Sequence, residues 1–223
     1  MMEQSLNETS KLETSKLIKK LANDRYTLYR EVNQELSKGG IVLFGDSLAE
    51  NFPINELYSG TKRILNRGIF GSTTYDVINR LDDIVNVLKP DTAIIWVGTN
   101  DFMPIVPHNS EIEVSKRIIQ IADLIKIQSC TTKILILSLL PVNTSSHSKI
   151  YHEWLIGKDN DKLKNTNEKL EMLCIQKKYK FLNFFNLFCD KEKQLQLNYT
   201  IDGTHINYAA YKIIFDKLLP FLQ

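Results

Sequence analysis

The sequence predicts an α/β fold, a parallel sheet covered on both faces by helices, and three observations predict it. Short apolar runs alternate with helical patterns over about 180 residues. The runs are apolar at successive positions, so each strand is buried on both faces. Polar, glycine-containing clusters fall just after the runs, where a parallel sheet gathers its ligands. A chain of 223 residues suits one such domain with an extension better than two domains.

Residues 1–38 carry Leu12, Leu17, Leu21, Tyr26, Leu28 and Tyr29 spaced as one apolar helical stripe. They are expected to form an N-terminal helical extension to a domain spanning 39–223. The extension packs on that domain or across a homodimer, and Gly39-Gly40 ends it. Ile41–Phe44 reads as a buried strand and Arg63–Asn66 as a second, short one. Thr74–Leu88 has Val77, Ile78, Leu81, Ile84, Val85 and Leu88 at helical spacing, closed by Pro90. Thr92–Val97 is a strand of β-favouring side chains, with Trp96 in the core. Glu111–Ile127 is a helix with Ile112, Ile118, Ile119, Ala122 and Ile125 inward. Lys133–Leu139 is a strand stopped by Pro141. Asp161–Lys178 is a helix, Lys180–Phe185 a strand and Asn207–Leu219 a last helix before Pro220.

Composition excludes several classes of function. Lysine and arginine number 28 against 26 acidic residues, a net charge of +2 with no basic block. That balance argues against nucleic acid as a partner. Cys130, Cys174 and Cys189 lie far apart without a Cys-x-x-Cys pair, as free thiols in a reducing compartment do. No apolar run approaches membrane-spanning length, and residues 1–20 lack the apolar core of a secretory signal. A cytoplasmic protein without integral membrane association is expected.

The strand-end clusters are Gly45-Asp46-Ser47-Leu48, the stretch Asn66 to Thr74, Gly98-Thr99-Asn100-Asp101, and Asp202-Gly203-Thr204-His205 before the last helix. They contain the parts of acyl-transfer chemistry. A serine hydroxyl needs a base to take its proton. Among His108, His147, His152 and His205, only His205 has a carboxylate three residues earlier. Asp202 can hold its Nδ1–H and support the imidazolium that forms. The Ser47 and Gly71 N–H groups and the Asn100 amide could face a developing oxyanion. Gly71 has no side chain to block that approach. Each cluster alone is ordinary turn or cap chemistry; four in order at strand ends are not.

Together they resemble the SGNH-hydrolase family, also called GDSL esterases/lipases. Ser47 matches the nucleophile block, Gly71 the second block, Asn100 the third, and Asp202 with His205 the Asp-x-x-His block. Trp96-Val97-Gly98-Thr99-Asn100 is similar to the platelet-activating-factor acetylhydrolase branch and its bacterial relatives. The resemblance spans about residues 41 to 210. Ser72 departs from the Asp or Asn often found after the second-block glycine. The resemblance implies a flavodoxin-like three-layer αβα sandwich with a five-stranded parallel sheet. It also implies a serine esterase acting on a small-molecule ester without metal or cofactor, with Ser47, Gly71 and Asn100 as oxyanion donors.

Leu48, Phe70 and Phe102 adjoin the catalytic blocks as candidate walls of a small acyl pocket, with core packing the other reading of Phe70 and Phe102. The stretch 142–160, with Tyr151, Trp154, Leu155 and Ile156, reads as a wall or lid, and Trp154 as a substrate contact. A helical surface insertion is the other reading of that stretch. If it instead opens a groove, a lysophospholipase or thioesterase for long chains results. An acyltransferase and an inactive binding module share the same residues. A metallophosphoesterase could use Asp46, Asn100, Asp101, Asp202 and His205. It lacks the early Asp-x-His and late Gly-His-x-His, and leaves Ser47 and Gly71 unused. No Gly-x-x-x-x-Gly-Lys-Ser/Thr loop exists.

Overall fold

The computed structural model describes residues 2–223, with side chains from Lys16 onward. Five strands form one sheet: β1 Ile41–Gly45, β2 Ile64–Gly68, β3 Thr92–Trp96, β4 Lys133–Leu137 and β5 Lys180–Leu182. All pairs are parallel, in the order β2-β1-β3-β4-β5. That is the flavodoxin-like order. The helices are α1 Met2–Glu35, α2 Ser47–Glu50, α3 Ile54–Leu57, α4 Thr74–Ile84, α5 Glu111–Gln128, α6 Asn160–Lys177, α7 Phe185–Phe188 and α8 Tyr208–Leu218.

Strand alternation divides the core in two. Val42, Phe44, Ala93, Ile95, Ile134 and Ile136 pack under α4, α5 and α6. Ile41, Leu43, Ile94, Trp96, Leu135 and Leu137 pack under α2, α3, α7 and α8. Trp96 is buried, and its Nε1–H donates to the Ser138 carbonyl at 3.0 Å. No helix among the described residues is long and apolar enough to cross a membrane.

The sequence pattern misplaces some boundaries. β2 runs to Gly68, because an edge strand accommodates Asn66 and Arg67. α4 stops at Ile84 and Asn86–Leu88 tightens into a 3-10 turn. β5 ends at Leu182, and Phe185 instead opens α7. Ile112, expected inward, is exposed on the first turn of α5. α1 does not dock through the whole predicted stripe. Tyr26 and Tyr29 face the domain, whereas Leu17, Leu21 and Leu28 are exposed. Leu12 lies outside the described side chains. The docking contacts are polar as well as apolar: Tyr26 donates to Asp83, and Asn33 donates to Asp83 O at 2.9 Å.

β1 and β2 both end in glycine, Gly45 beside Gly68 in register, and Gly45 also sits beside Trp96 of β3. Gly45 has φ +150°, and a Cβ there would lie 1.7 Å from the Trp96 carbonyl oxygen. The backbone around it is held by pairing on both sides, so it has nowhere to yield. Gly45→Ala should therefore lower folding stability by about 3 kcal/mol or more. Urea unfolding tests this; a change within about 0.5 kcal/mol, the range of an indifferent surface site, would refute the account.

Candidate active site

The chain leaves β1 through Asp46, which caps α2 by accepting the Leu48 N–H on Oδ1 at 2.9 Å. Ser47 is thereby the first residue of a short helix, where an N–H has no intrahelical acceptor. Asn66 of β2 closes the far end of α2. Its Nδ2 reaches the carbonyls of Ala49, Glu50 and Phe52 at 2.7, 3.2 and 3.1 Å. Gly68 makes that approach possible, since a Cβ there would lie 2.1 Å from the Glu50 nitrogen.

The last cluster folds as a tight turn. Asp202 Oδ1 accepts the N–H groups of Thr204 and His205 at 2.9 and 2.8 Å. Its Oδ2 lies 2.6 Å from His205 Nδ1. That proton therefore sits on Nδ1, leaving Nε2 as an acceptor. Nε2 lies 2.9 Å from Ser47 Oγ, from a residue 158 positions away in the chain. Both Ser47 and His205 are buried. Burial opposes the charge on Asp202, but the bonds and charge of His205 outweigh it and hold this carboxyl below its ordinary range.

The second and third clusters meet beside Ser47. In the stretch Ile69–Ser72 the N–H of Ile69 donates to Gly45 O, that of Phe70 to Glu50 Oε2 and that of Ser72 to Ile69 O. The Gly71 N–H alone of these four has no acceptor among the described residues, and Gly71 has φ +72°. Asn100 donates from Nδ2 to Ser72 O at 3.1 Å, which orients its amide and leaves a second N–H. Next to it Asp101 is wholly buried. It accepts the Thr74 N–H at 2.9 Å, the Thr74 hydroxyl at 2.5 Å and Arg117 Nη2 at 3.0 Å. Arg117 Nε also donates to Thr74 Oγ1 at 2.7 Å. The second and third clusters are thus pinned to each other and to α5.

The predicted candidates divide. Ser47, Asp202 and His205 come together, and Phe70 and Trp154 join them at the imidazole. Gly71, next to Phe70, and Asn100 lie on loops tied to one another through Ser72. The Phe70 ring stacks on His205 at 5.7 Å, and Trp154 meets both edge-on at 5.5 and 6.2 Å. Leu48 and Phe102, expected as pocket walls, do not. Leu48 turns into the core of one sheet face and Phe102 into the other. Adjacency in sequence to a site residue fixes no side-chain direction inside a helical turn. The 142–160 stretch carries no α-helix until Asn160. It is tied to the site by the Tyr151 N–H, which donates to Asp202 O at 2.8 Å, and by Asn143 N–H to Gly203 O at 2.7 Å. His108, His147 and His152 stand exposed. Glu50 and Arg117 went unseen in the sequence, and Asn66 and Asp101, though within the strand-end clusters, carried no such supporting role there, because only their tertiary partners reveal it. Lys158 also went unseen. Burial lowers its ammonium to about 8 and raises Asp46 to about 7, each charge partly offsetting the other's shift. No group of three or more side chains suited to a metal is present among the described residues.

Serine hydrolases are the class in which an imidazole, held by a carboxylate, faces a serine hydroxyl beside free N–H donors. The chain belongs to the GDSL-like Lipase/Acylhydrolase family, whose model matches residues 36–213. It is 24% identical over 200 residues to a GDSL esterase/lipase of Oryza sativa subsp. japonica, covering 82% of this chain and 76% of that one. It is 36% identical over 107 residues to platelet-activating factor acetylhydrolase IB subunit alpha2 of Homo sapiens, covering 45% and 44%. A solved Streptococcus pneumonia chain, provisionally described as a platelet activating factor, superposes with TM-score 0.85 at 28% identity. It covers 97% of this chain and 99% of its own.

The buried Asp46 carries a stability prediction. A carboxyl whose folded pKa is raised binds its proton more tightly in the folded state, so stability falls as pH rises from about 4 to about 7. Asp46→Asn keeps the Leu48 acceptor and removes the titration. The variant should gain on the wild type across that interval in urea-unfolding midpoints, and level off above it. A gap independent of pH would show that the carboxyl is not held in this way.

Proposed function

We propose that this chain is a serine esterase cleaving a small acyl ester, with acetyl as the preferred acyl group, through an acyl-enzyme. The observation that carries the reading is the unbroken series Asp202, His205, Ser47 at 2.6 and 2.9 Å. In the first half, Ser47 Oγ adds to the ester carbonyl while its proton passes to His205 Nε2. The carbonyl π electrons move onto oxygen. The Ser47 N–H, the Gly71 N–H and the spare Asn100 N–H stabilise that oxyanion. When the tetrahedral adduct collapses, the alkoxide leaves with the proton from Nε2. In the second half, water loses a proton to Nε2 and attacks the acyl-serine carbonyl. The adduct collapses by breaking the bond to Ser47 Oγ, which takes the proton back from Nε2 as the acid departs. Asp202 stabilises the imidazolium in both halves without accepting its proton.

Phe70 and Trp154 support a small substrate, because the two rings pack against each other and against the imidazole and narrow the space beside Ser47. The acetylhydrolase name of the human relative points the same way. The exposed Ile156 beyond Trp154 favours a second reading, a groove for longer chains. Three free cysteines, Cys130, Cys174 and Cys189, fit a reducing, cytoplasmic setting.

Ser47→Ala should lower kcat by about 10⁴-fold or more with the fold intact. Asn100→Ala should lower it by about 10²–10³-fold with KM little changed. Retention of a substantial fraction of activity by a pure Ser47→Ala sample would remove the nucleophile assignment. A change confined to KM would make Asn100 a binding residue instead.

Acyl specificity is tested with para-nitrophenyl esters of increasing length. The rate should peak among the short acyl groups and fall as methylenes are added, since each unaccommodated methylene forfeits about 0.8 kcal/mol of burial. Phe70→Ala should move the optimum to longer chains. A wild-type rate that climbs steadily with chain length would reject the small pocket in favour of the groove.

A further inference from the structure

We infer that α1 is a positioning element of the active site, clamping Phe70, Gly71 and Ser72 so that the Gly71 N–H is aimed at the substrate. The inference rests on the catalytic reading above and goes beyond it, because α1 lies wholly outside the family match, which begins at residue 36.

One direct contact and two relayed ones, through Glu50 and Arg80, connect one stretch of α1 to three consecutive residues. Arg25 Nη2 lies 3.4 Å from Glu50 Oε1, while Glu50 Oε2 accepts the Phe70 N–H at 2.5 Å. The Ile18 side chain covers Gly71, its Cγ2 lying 3.5 Å from where a Cβ on that glycine would stand. Arg80 of α4 bridges the rest, donating to Asn23 Oδ1 at 3.3 Å and to Ser72 Oγ at 3.5 Å.

The anchoring of α1 is elsewhere. Tyr26 bonds Asp83, Asn33 accepts from Arg67 Nε at 2.9 Å, and the Arg67 guanidinium stacks over Tyr29 at 4.6 Å. Residues 26–33 thus dock the helix, and residues 18–25 reach from it to the loop. Half-exposed ion pairs of this kind contribute little to stability. They can, however, fix geometry. The Gly71 N–H lies in the peptide plane between Phe70 and Gly71. A glycine at positive φ lets that plane turn unless its neighbours are held. Fixing Phe70 on one side and Ser72 on the other leaves the plane one orientation. Ser72 O also accepts from Asn100, so the clamp reaches a second oxyanion donor.

The test uses the full chain with para-nitrophenyl acetate as probe. The triple variant Ile18→Ala, Asn23→Ala, Arg25→Ala removes the three contacts and keeps the anchors. About 1 Å of misplacement costs roughly 10²-fold, so a loosened donor should lower kcat by about 5- to 50-fold with KM within about twofold. The unfolding midpoint should be unchanged, and amide exchange should quicken in peptides covering 69–72. Arg25→Lys, which keeps the charge, should retain the wild-type rate, as should Leu28→Ala with Val32→Ala on the exposed face of α1. A triple variant with wild-type kcat would overturn the inference. So would a kcat loss accompanied by a lowered midpoint and faster exchange throughout β1 and α4, the mark of general loosening. A change in KM alone would also overturn it. Ser47→Ala separates the two claims. If it is active, the catalytic reading fails; if it is inactive while the triple variant is fully active, only the clamp fails.

Discussion

Parallel pairing of β1 with both β2 and β3 determines where the chemistry sits. The chain leaving β1 enters α2 under one face of the sheet, and the chain leaving β3 heads for α5 on the other. A crevice opens between them at the carboxyl ends, the only place where polar groups can gather without burial inside an apolar layer. Gly45 is the hinge of this arrangement, since any side chain there would strike the Trp96 carbonyl across the crevice floor. Ser47 and Asn100 stand on opposite banks because their strands are neighbours. His205 arrives from the far end of the chain on the turn before α8.

The site divides into parts with different physical demands. The series Asp202, His205, Ser47 is fixed by its own hydrogen bonds and by the backbone of the Asp202 turn. The oxyanion donors proposed above have no such internal logic: a glycine N–H and a side-chain amide must be held from outside. Asp101 does this for Asn100 at the cost of a fully buried charge, matched by Arg117 and by two donors from Thr74. A buried ion pair is a poor source of stability but a good source of register. Here it locks the loop after β3 to the start of α4, and so sets the distance between the second and third clusters.

The central strands were legible because burial on both faces leaves a near-continuous apolar run; the edge strands are less buried, β2 carrying Asn66 and Arg67 and β5 opening on exposed Lys180. The catalytic blocks were legible because short polar motifs at strand ends are rare in combination. What the sequence concealed shares one cause. α2, α3 and α7 are single turns whose formation depends on partners, such as Asn66 for α2, rather than on periodicity. Leu48 and Phe102 looked like pocket residues because they neighbour catalytic ones, yet the helical turns carrying them point them into the cores. Part of the docked face of α1 escaped the apolar count because it is polar: Asn23, Arg25 and Asn33 make contacts beside those of Tyr26 and Tyr29.

The bond between Ser47 and His205 spans 158 residues, and that span has a consequence for synthesis. Chains emerge from the ribosome at about 5–20 residues per second, so Ser47 is made roughly 8–30 s before its base. β1 to β4 can pair in that interval, and Ser47 then sits on a formed loop with no group to take its proton. On the mechanism proposed above, a chain that stops before His205 has no base for Ser47 and is silent toward esters. His205 enters on the turn just before the final helix, whose Tyr211, Ile214 and Phe215 are buried against the sheet.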